Sequence, residues 1–183
     1  MSQATTNAQP VQFVRRDERD EHSVIELSET IRHEIDEWMR RYPSDRKQSA
    51  VLGALRAVQH ERHWLSKPAM NAVADYMGLP RMVVYEVASF YSMFETQPVG
   101  RHAISVCTNV SCMLRGSDAI VEYIEKKLGI RTGESTPDGK FFLKREEECL
   151  AACCGAPMMQ VDHRYYEDLT PEKVDQILAS FED

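Results

Sequence analysis

All five cysteines of the chain lie between Cys107 and Cys154, in two groups. Cys107 and Cys112 form a C-x4-C pair. Cys149 and Cys153 form a C-x3-C pair, with Cys154 directly behind it. Thiolates are soft ligands that select zinc, copper(I) or iron–sulfur clusters over hard cations. A [2Fe–2S] cluster takes four of them, two on each iron, and two short pairs far apart in sequence suit that division. Structural zinc also takes four thiolates, commonly from tighter C-x2-C pairs. An odd number of cysteines cannot pair fully in disulfides within one chain. Thioredoxin-type redox motifs use C-x-x-C, a spacing that neither pair has. The spacing favours iron and sulfur, and it leaves zinc, thiol chemistry and buried unligated cysteines as alternatives.

The residues around the cysteines narrow this. Arg115-Gly116 follows Cys112, and the second group reads Cys149-Leu150-x2-Cys153-x2-Ala156-Pro157. Upstream stand Ala88-Ser89-Phe90-Tyr91, Phe94 and Pro98-Val99-Gly100. Together these resemble the E-subunit family of NADH-quinone oxidoreductase, the thioredoxin-like [2Fe–2S] subunits of respiratory complex I. Related subunits occur in NAD-linked hydrogenases and formate dehydrogenases. The likeness extends from about Ser28 to the C-terminus. It implies that Cys107, Cys112, Cys149 and Cys153 hold the iron of one [2Fe–2S] cluster, and it leaves Cys154 as a small buried hydrophobe. It also implies an electron-transfer subunit of an oxidoreductase, with no complete catalytic site of its own. Single electrons pass between its cluster and the flavin of an NADH-oxidising partner, and it works beside further iron–sulfur subunits. In the family the complex passes electrons to quinone and pumps protons. The alternatives are the equivalent subunit of an NAD-linked hydrogenase or formate dehydrogenase, and a zinc-stapled interaction domain. Ala151 departs from the family, where Gly is usual; should that backbone need positive φ, a Cβ there costs strain.

Upstream of the cysteines the pattern is helical. Ser28 reads as an N-cap, with Ile31, Ile35, Trp38 and Met39 on one face, and Pro43 ends that helix. A second helix is expected over Arg46 to Arg62, with Val51, Leu52, Leu55 and Val58 as its stripe. A third follows Ser66 and closes at Gly78, and a fourth follows Pro80. Phe90, Tyr91 and Phe94 are expected to pack against the next domain, or else to dock another subunit. From residue 103 the period changes. Strands are expected at 103–106, 141–143 and 158–161, with Tyr165-Tyr166 pairing to the last. Helices are expected from Gly116 to Leu128 and after Thr170-Pro171. The N-terminus of the Gly116 helix would favour the negative charge of Cys112. The expected fold class is α+β: a small N-terminal helical bundle followed by a thioredoxin-like α/β [2Fe–2S] ferredoxin domain. The boundaries are a disordered or loosely attached arm at 1–22, a helical domain at 23–94, a linker at 95–100 and the [2Fe–2S] domain at 101–183.

Composition bounds the rest. With 183 residues, 43% hydrophobic and 28% charged, this is the make-up of an ordinary soluble protein. A net charge of −7 without a basic stripe argues against nucleic acid. No apolar run approaches the roughly 20 residues of a membrane helix, and residues 1–22 lack an apolar signal region. The expected location is cytoplasmic, peripheral to the inner membrane through the complex, with no direct membrane insertion. No G-x-G-x-x-G or Walker loop occurs, so NAD and FMN are expected on a partner rather than on this chain. Glu146-Glu147-Glu148 leads into Cys149. It reads as a solvated turn, or else as a charge that lowers the cluster's potential, with Lys144 and Arg145 in partial opposition. His22, His33, His60, His63, His102 and His163 share no spacing with the cysteines and read as surface or satisfied core residues.

Overall fold

The computed structural model describes residues 23–145 and 149–181. Two compact units divide between Pro98 and Val99.

The first unit is helical. Its helices are α1 (Glu29–Arg40), α2 (Val51–Arg62), α3 (Lys67–Met77) and α4 (Arg81–Phe90). Ser28 caps α1 by accepting from the Ile31 N–H at 3.2 Å, and Ser66 caps α3 by accepting from Ala69. Pro68 lies in the first turn of α3, and Gly78 closes it at φ +65°. The helices bury Ile31, Ile35, Val51, Leu55, Val58, Val73, Met77 and Val84 in one core. The second helix starts later than the sequence suggests. Ser44–Ala50 forms a 3₁₀ segment in which Arg46 leaves helical geometry, and the α-helix begins only at Val51. Of the three aromatics, Phe94 differs from expectation. Phe94 is buried in this unit's own core, whereas Phe90 is 79% exposed and Tyr91 stands edge-on to both. The stretch expected as a linker is tied down at each end. Glu95 bonds Leu65 and Gln59, while Gly100 and Arg101 bond Ser135 and Gly139.

The second unit is a five-stranded sheet with helices. Strands β1 (His102–Val106), β2 (Glu134–Ser135), β3 (Phe141–Leu143), β4 (Met159–Val161) and β5 (Arg164–Tyr166) stand in the order β2-β3-β1-β4-β5. β1 is central. It runs parallel to β3, with Ile104 opposite Leu143, and antiparallel to β4, with Ile104 opposite Val161. Parallel neighbours need a crossover, here α5 (Val110–Leu114) followed by α6 (Ser117–Leu128). The last helix is α7 (Pro171–Ala179), capped by the Thr170 hydroxyl. Ile120 and Ile124 of α6 meet Val174, Ile177 and Leu178 of α7 in a core with Ile104, Phe141 and Leu143. Tyr123 and Lys127 of α6 both reach Asp175 of α7, each at 2.7 Å. The expected strands and helices are present in order, with two additions, the short helix α5 and the two-residue edge strand β2. Among the described residues, no helix is long and apolar enough to cross a membrane.

Gly100 sits where β1 enters the sheet. A Cβ there would meet the carbonyl carbon and oxygen of Phe141 far inside van der Waals contact and would lie 2.8 Å from the Phe142 nitrogen. All three are backbone atoms, which cannot swing aside as a side chain would. Gly100→Ala is expected to destabilise the sheet unit by about 1–3 kcal/mol, the range for overpacking. Denaturant unfolding followed by circular dichroism reads this directly, and an unchanged midpoint would show that the strands part without cost.

Candidate metal centre

The two cysteine groups stand at the ends of neighbouring strands. β1 ends at Val106 and delivers Cys107 into the first loop. Asn109 then caps α5 by accepting from Val110 at 2.9 Å, and Cys112 lies inside that helix. On the other side, Lys144 after β3 still donates to Ile104 of β1 at 2.9 Å. The chain returns through Cys149 to a 3₁₀ turn, Cys153–Gly155, and into β4 beside β1. The peptide bond between Ala156 and Pro157 in this return is cis. Met158 joins the two loops with both of its backbone groups. Its carbonyl accepts from the Cys107 N–H at 3.1 Å, and its N–H donates to the Cys112 sulfur. Leu150 supplies a second crossing, from the second loop to the Cys107 sulfur, which also accepts from Asn109.

Four thiols close a ring. The Cys149 and Cys153 sulfurs are 3.7 Å apart. Cys107 is hydrogen-bonded to both Cys112 and Cys149, and Cys112 feels the charge of Cys153. All five cysteines are free thiols, and Cys154 is in none of these four pairings. Two thiolates about 2.3 Å from one tetrahedral metal lie about 3.8 Å apart, so the Cys149–Cys153 spacing fits a shared ion. The pairs differ in burial. Cys107 and Cys112 are 2% and 1% exposed, whereas Cys149 and Cys153 are exposed. Among the described residues, no three Cys, His, Asp or Glu side chains gather as a single-ion site would require. A diiron cluster asks for only two at each iron, and this donor set of four soft thiols in two linked pairs fits it.

Ionisation within the ring is uneven. Burial pushes Cys107 up, but the N–H groups of Leu150 and Asn109 and the Cys112 and Cys149 thiols outweigh it, so this thiol ends below its usual value. Cys112 is pushed up to about 11, by burial first and then by its bond to Cys107, against the pull of the Met158 N–H. Cys149 is drawn down by the Ala151 N–H but ends raised, through Cys153 and the neighbouring thiolate charges. Metal capture therefore has to expel the Cys112 proton.

The structure brings Cys107, Cys112, Cys149 and Cys153 together, and it places Cys154 next along the turn with its side chain exposed. Exposure corrects the expectation that Cys154 is buried. Cys112 itself belongs to the short helix α5, and Gly116, at φ +88°, separates it from α6; the backbone N–H that its sulfur accepts comes from Met158 of the other loop. Asn109 is a cap signal that sequence reading passed over; the cross-loop bonds of Leu150 and Met158 leave no mark on side-chain identity. Glu146-Glu147-Glu148, His22 and the arm at 1–22 lie outside the described residues. His102 pairs with Asp162 at 2.5 Å beside Phe141 and Phe181, at the end of β1 away from the cysteines.

A family model for thioredoxin-like [2Fe–2S] ferredoxins matches residues 35–182. The NADH-quinone oxidoreductase E subunit numbered 2 of Rhizobium meliloti (strain 1021) is 46% identical over 152 residues, which is 83% of this chain and 89% of that protein. The NADH-quinone oxidoreductase E subunit of Rickettsia bellii (strain RML369-C) is 48% identical over 141 residues, 76% of this chain and 84% of its own length. Among solved structures, a chain of the NAD⁺-reducing [NiFe]-hydrogenase in its air-oxidised state matches with a TM-score of 0.63 at 23% identity. It covers 72% of this chain, which spans 22% of the hydrogenase chain, so that likeness is one of fold.

Ala151 stands at φ +61°, the strained conformation its Cβ makes costly, and this aims its N–H at the Cys149 sulfur. The left-handed conformation costs about 1–2 kcal/mol for a residue with a Cβ. A glycine gives back about 0.4–1 kcal/mol through the freer unfolded chain. Ala151→Gly should therefore stabilise the metal-loaded chain by up to about 1.6 kcal/mol. Thermal unfolding checks this; a lowered midpoint would mean that the methyl group makes a contact worth more than the strain.

Proposed function

The chain belongs to the thioredoxin-like [2Fe–2S] ferredoxin family, in the branch of the NADH-quinone oxidoreductase E subunits, and from this premise we propose that it is an electron-transfer subunit of an NADH-oxidising oxidoreductase complex. The observation that carries the reading is the closed ring of four thiols built from two loops and bridged by Met158. We assign Cys107 and Cys112 to one iron and Cys149 and Cys153 to the other. When bound, a [2Fe–2S] cluster takes up and gives back one electron at a time.

The chain's own residues prepare that exchange. Leu150, Asn109, Ala151 and Met158 direct N–H groups at three of the sulfurs, which stabilises them as thiolates. The same bonds help to set the reduction potential of a cluster held there. The buried pair anchors one side, and the exposed pair leaves the other open to a partner. Dinucleotide and flavin are assigned to that partner, since the chain has no G-x-G-x-x-G fingerprint. Further iron–sulfur subunits of the complex, and its peripheral seat at the inner membrane on the cytoplasmic side, belong to the same reading. The equivalent place in an NAD-linked hydrogenase is the second reading, favoured by the fold match. Relatives at 46% and 48% identity over most of the chain favour the quinone-linked complex.

Purified without oxygen, the chain should carry about two irons and two sulfides, absorb in the visible and give an EPR signal on one-electron reduction. Serine at Cys107, Cys112, Cys149 or Cys153 should remove most of that iron, and Cys154→Ser should keep it. Zinc in place of iron, or cluster loss in Cys154→Ser with survival in Cys153→Ser, would overturn the assignment.

A further inference from the structure

The second ligand loop is backed by a segment that plays no part in ligation, Glu167 to Leu169. The Asp168 N–H donates to the Gly155 carbonyl at 2.6 Å, and the Leu169 N–H donates to the Pro157 carbonyl at 2.9 Å. Gly155 is the last residue of the 3₁₀ turn that starts at Cys153, and it is buried. The Glu167 side chain covers it. A Cβ built on Gly155 would lie 2.5 Å from the Glu167 Cβ and 2.7 Å from its Cδ, and would also meet its Oε2. Asp168 keeps the backbone in position at φ +48°, and the Lys173 ammonium holds the Glu167 carbonyl at 2.5 Å. The lack of a side chain at Gly155 thus admits a carboxylate onto the backbone of the ligand turn, two residues from Cys153.

We infer that Glu167 is a positioning residue for the metal centre that seats the Cys153–Gly155 turn and, through its negative charge, lowers the centre's reduction potential. The inference rests on the four-cysteine reading above. Two Cα–Cα steps of a tight turn place the carboxylate on the order of 10 Å from the Cys153 sulfur. Reduction adds one electron to an already anionic group, so a nearby carboxylate opposes it. At that distance, with an effective dielectric between about 20 and 80, one charge changes the ratio of reduced to oxidised centre roughly two- to fifteenfold. Glu167 is exposed, which puts the effect toward the lower end and makes it sensitive to salt. The Lys173 ammonium binds a main-chain oxygen and leaves the carboxylate its charge.

The test is a redox titration of the iron-loaded Glu167→Gln chain, followed by EPR at low and high ionic strength. Glutamine keeps the shape over Gly155 and removes the charge. We expect full cluster content and a more positive midpoint, with the centre roughly two- to fifteenfold more reduced at the wild-type midpoint and the difference shrinking as salt is added. A change confined to packing would lower thermal stability or iron content and leave the midpoint in place. An unchanged or more negative midpoint in a fully loaded variant overturns the inference while leaving the cluster assignment intact. A wild-type chain that takes up no [2Fe–2S] cluster overturns the assignment and this inference with it. Should Glu167→Gln fail to hold the cluster, Glu167→Asp decides. It retains the charge, so a loaded chain with the wild-type midpoint supports the role, and cluster loss or a shifted midpoint contradicts it.

Discussion

Four sulfurs that repel one another as thiolates have to be held a few ångströms apart by two loops far separated in the chain. That requirement organises the sheet unit. Its solution is backbone hydrogen bonding across the loops, with Leu150 reaching the Cys107 sulfur and Met158 reaching both the Cys107 backbone and the Cys112 sulfur. Because N–H groups do the bracing, the site needs strands that end side by side more than it needs particular side chains. The central position of β1 between β3 and β4 provides this, since one loop leaves from β1 and the other returns into β4. A few departures from regular geometry complete it: Ala151 and Asp168 with positive φ, and Gly155 without a Cβ beneath Glu167.

Much of this was legible in the sequence, for identifiable reasons. Two short cysteine pairs far apart in sequence suit one shared cluster, so they stood out, while the choice of Cys153 over Cys154 rested on the family resemblance. Caps at Ser28, Ser66 and Thr170 and the closing glycine at 78 state their backbone roles through chemistry or freedom at φ. The misses share a cause as well. α5 is five residues long, too short for periodicity to register, and only the Asn109 cap betrays it. β2 is two residues at a sheet edge. Arg46 leaves the helical region inside a polar run that looks like helix by composition. Phe90 and Phe94 are alike in type, yet one is exposed and the other buried, because four positions on a chain leaving a helix no longer share a face.

The uneven burial of the two pairs gives the centre a direction. Cys107 and Cys112 close against Ala156 and Met158, away from water. Cys149 and Cys153 are exposed, as are Cys154 behind them and Glu167 over Gly155. A low dielectric on one side and solvent on the other is the condition in which single surface charges act on a buried redox group strongly enough to matter and weakly enough to be adjusted. The helical unit has its own core from Ile25 to Phe94 and adds nothing to the ligand set.

The central claim is that two pairs of cysteines each hold one iron of a single cluster. Anomalous diffraction at the iron edge from anaerobically grown crystals of the loaded chain tests it most directly. It should show two neighbouring iron peaks, one bonded to the sulfurs of Cys107 and Cys112 and the other to those of Cys149 and Cys153. A single peak within bonding distance of all four sulfurs, or Cys154 in the place of Cys153, would contradict it.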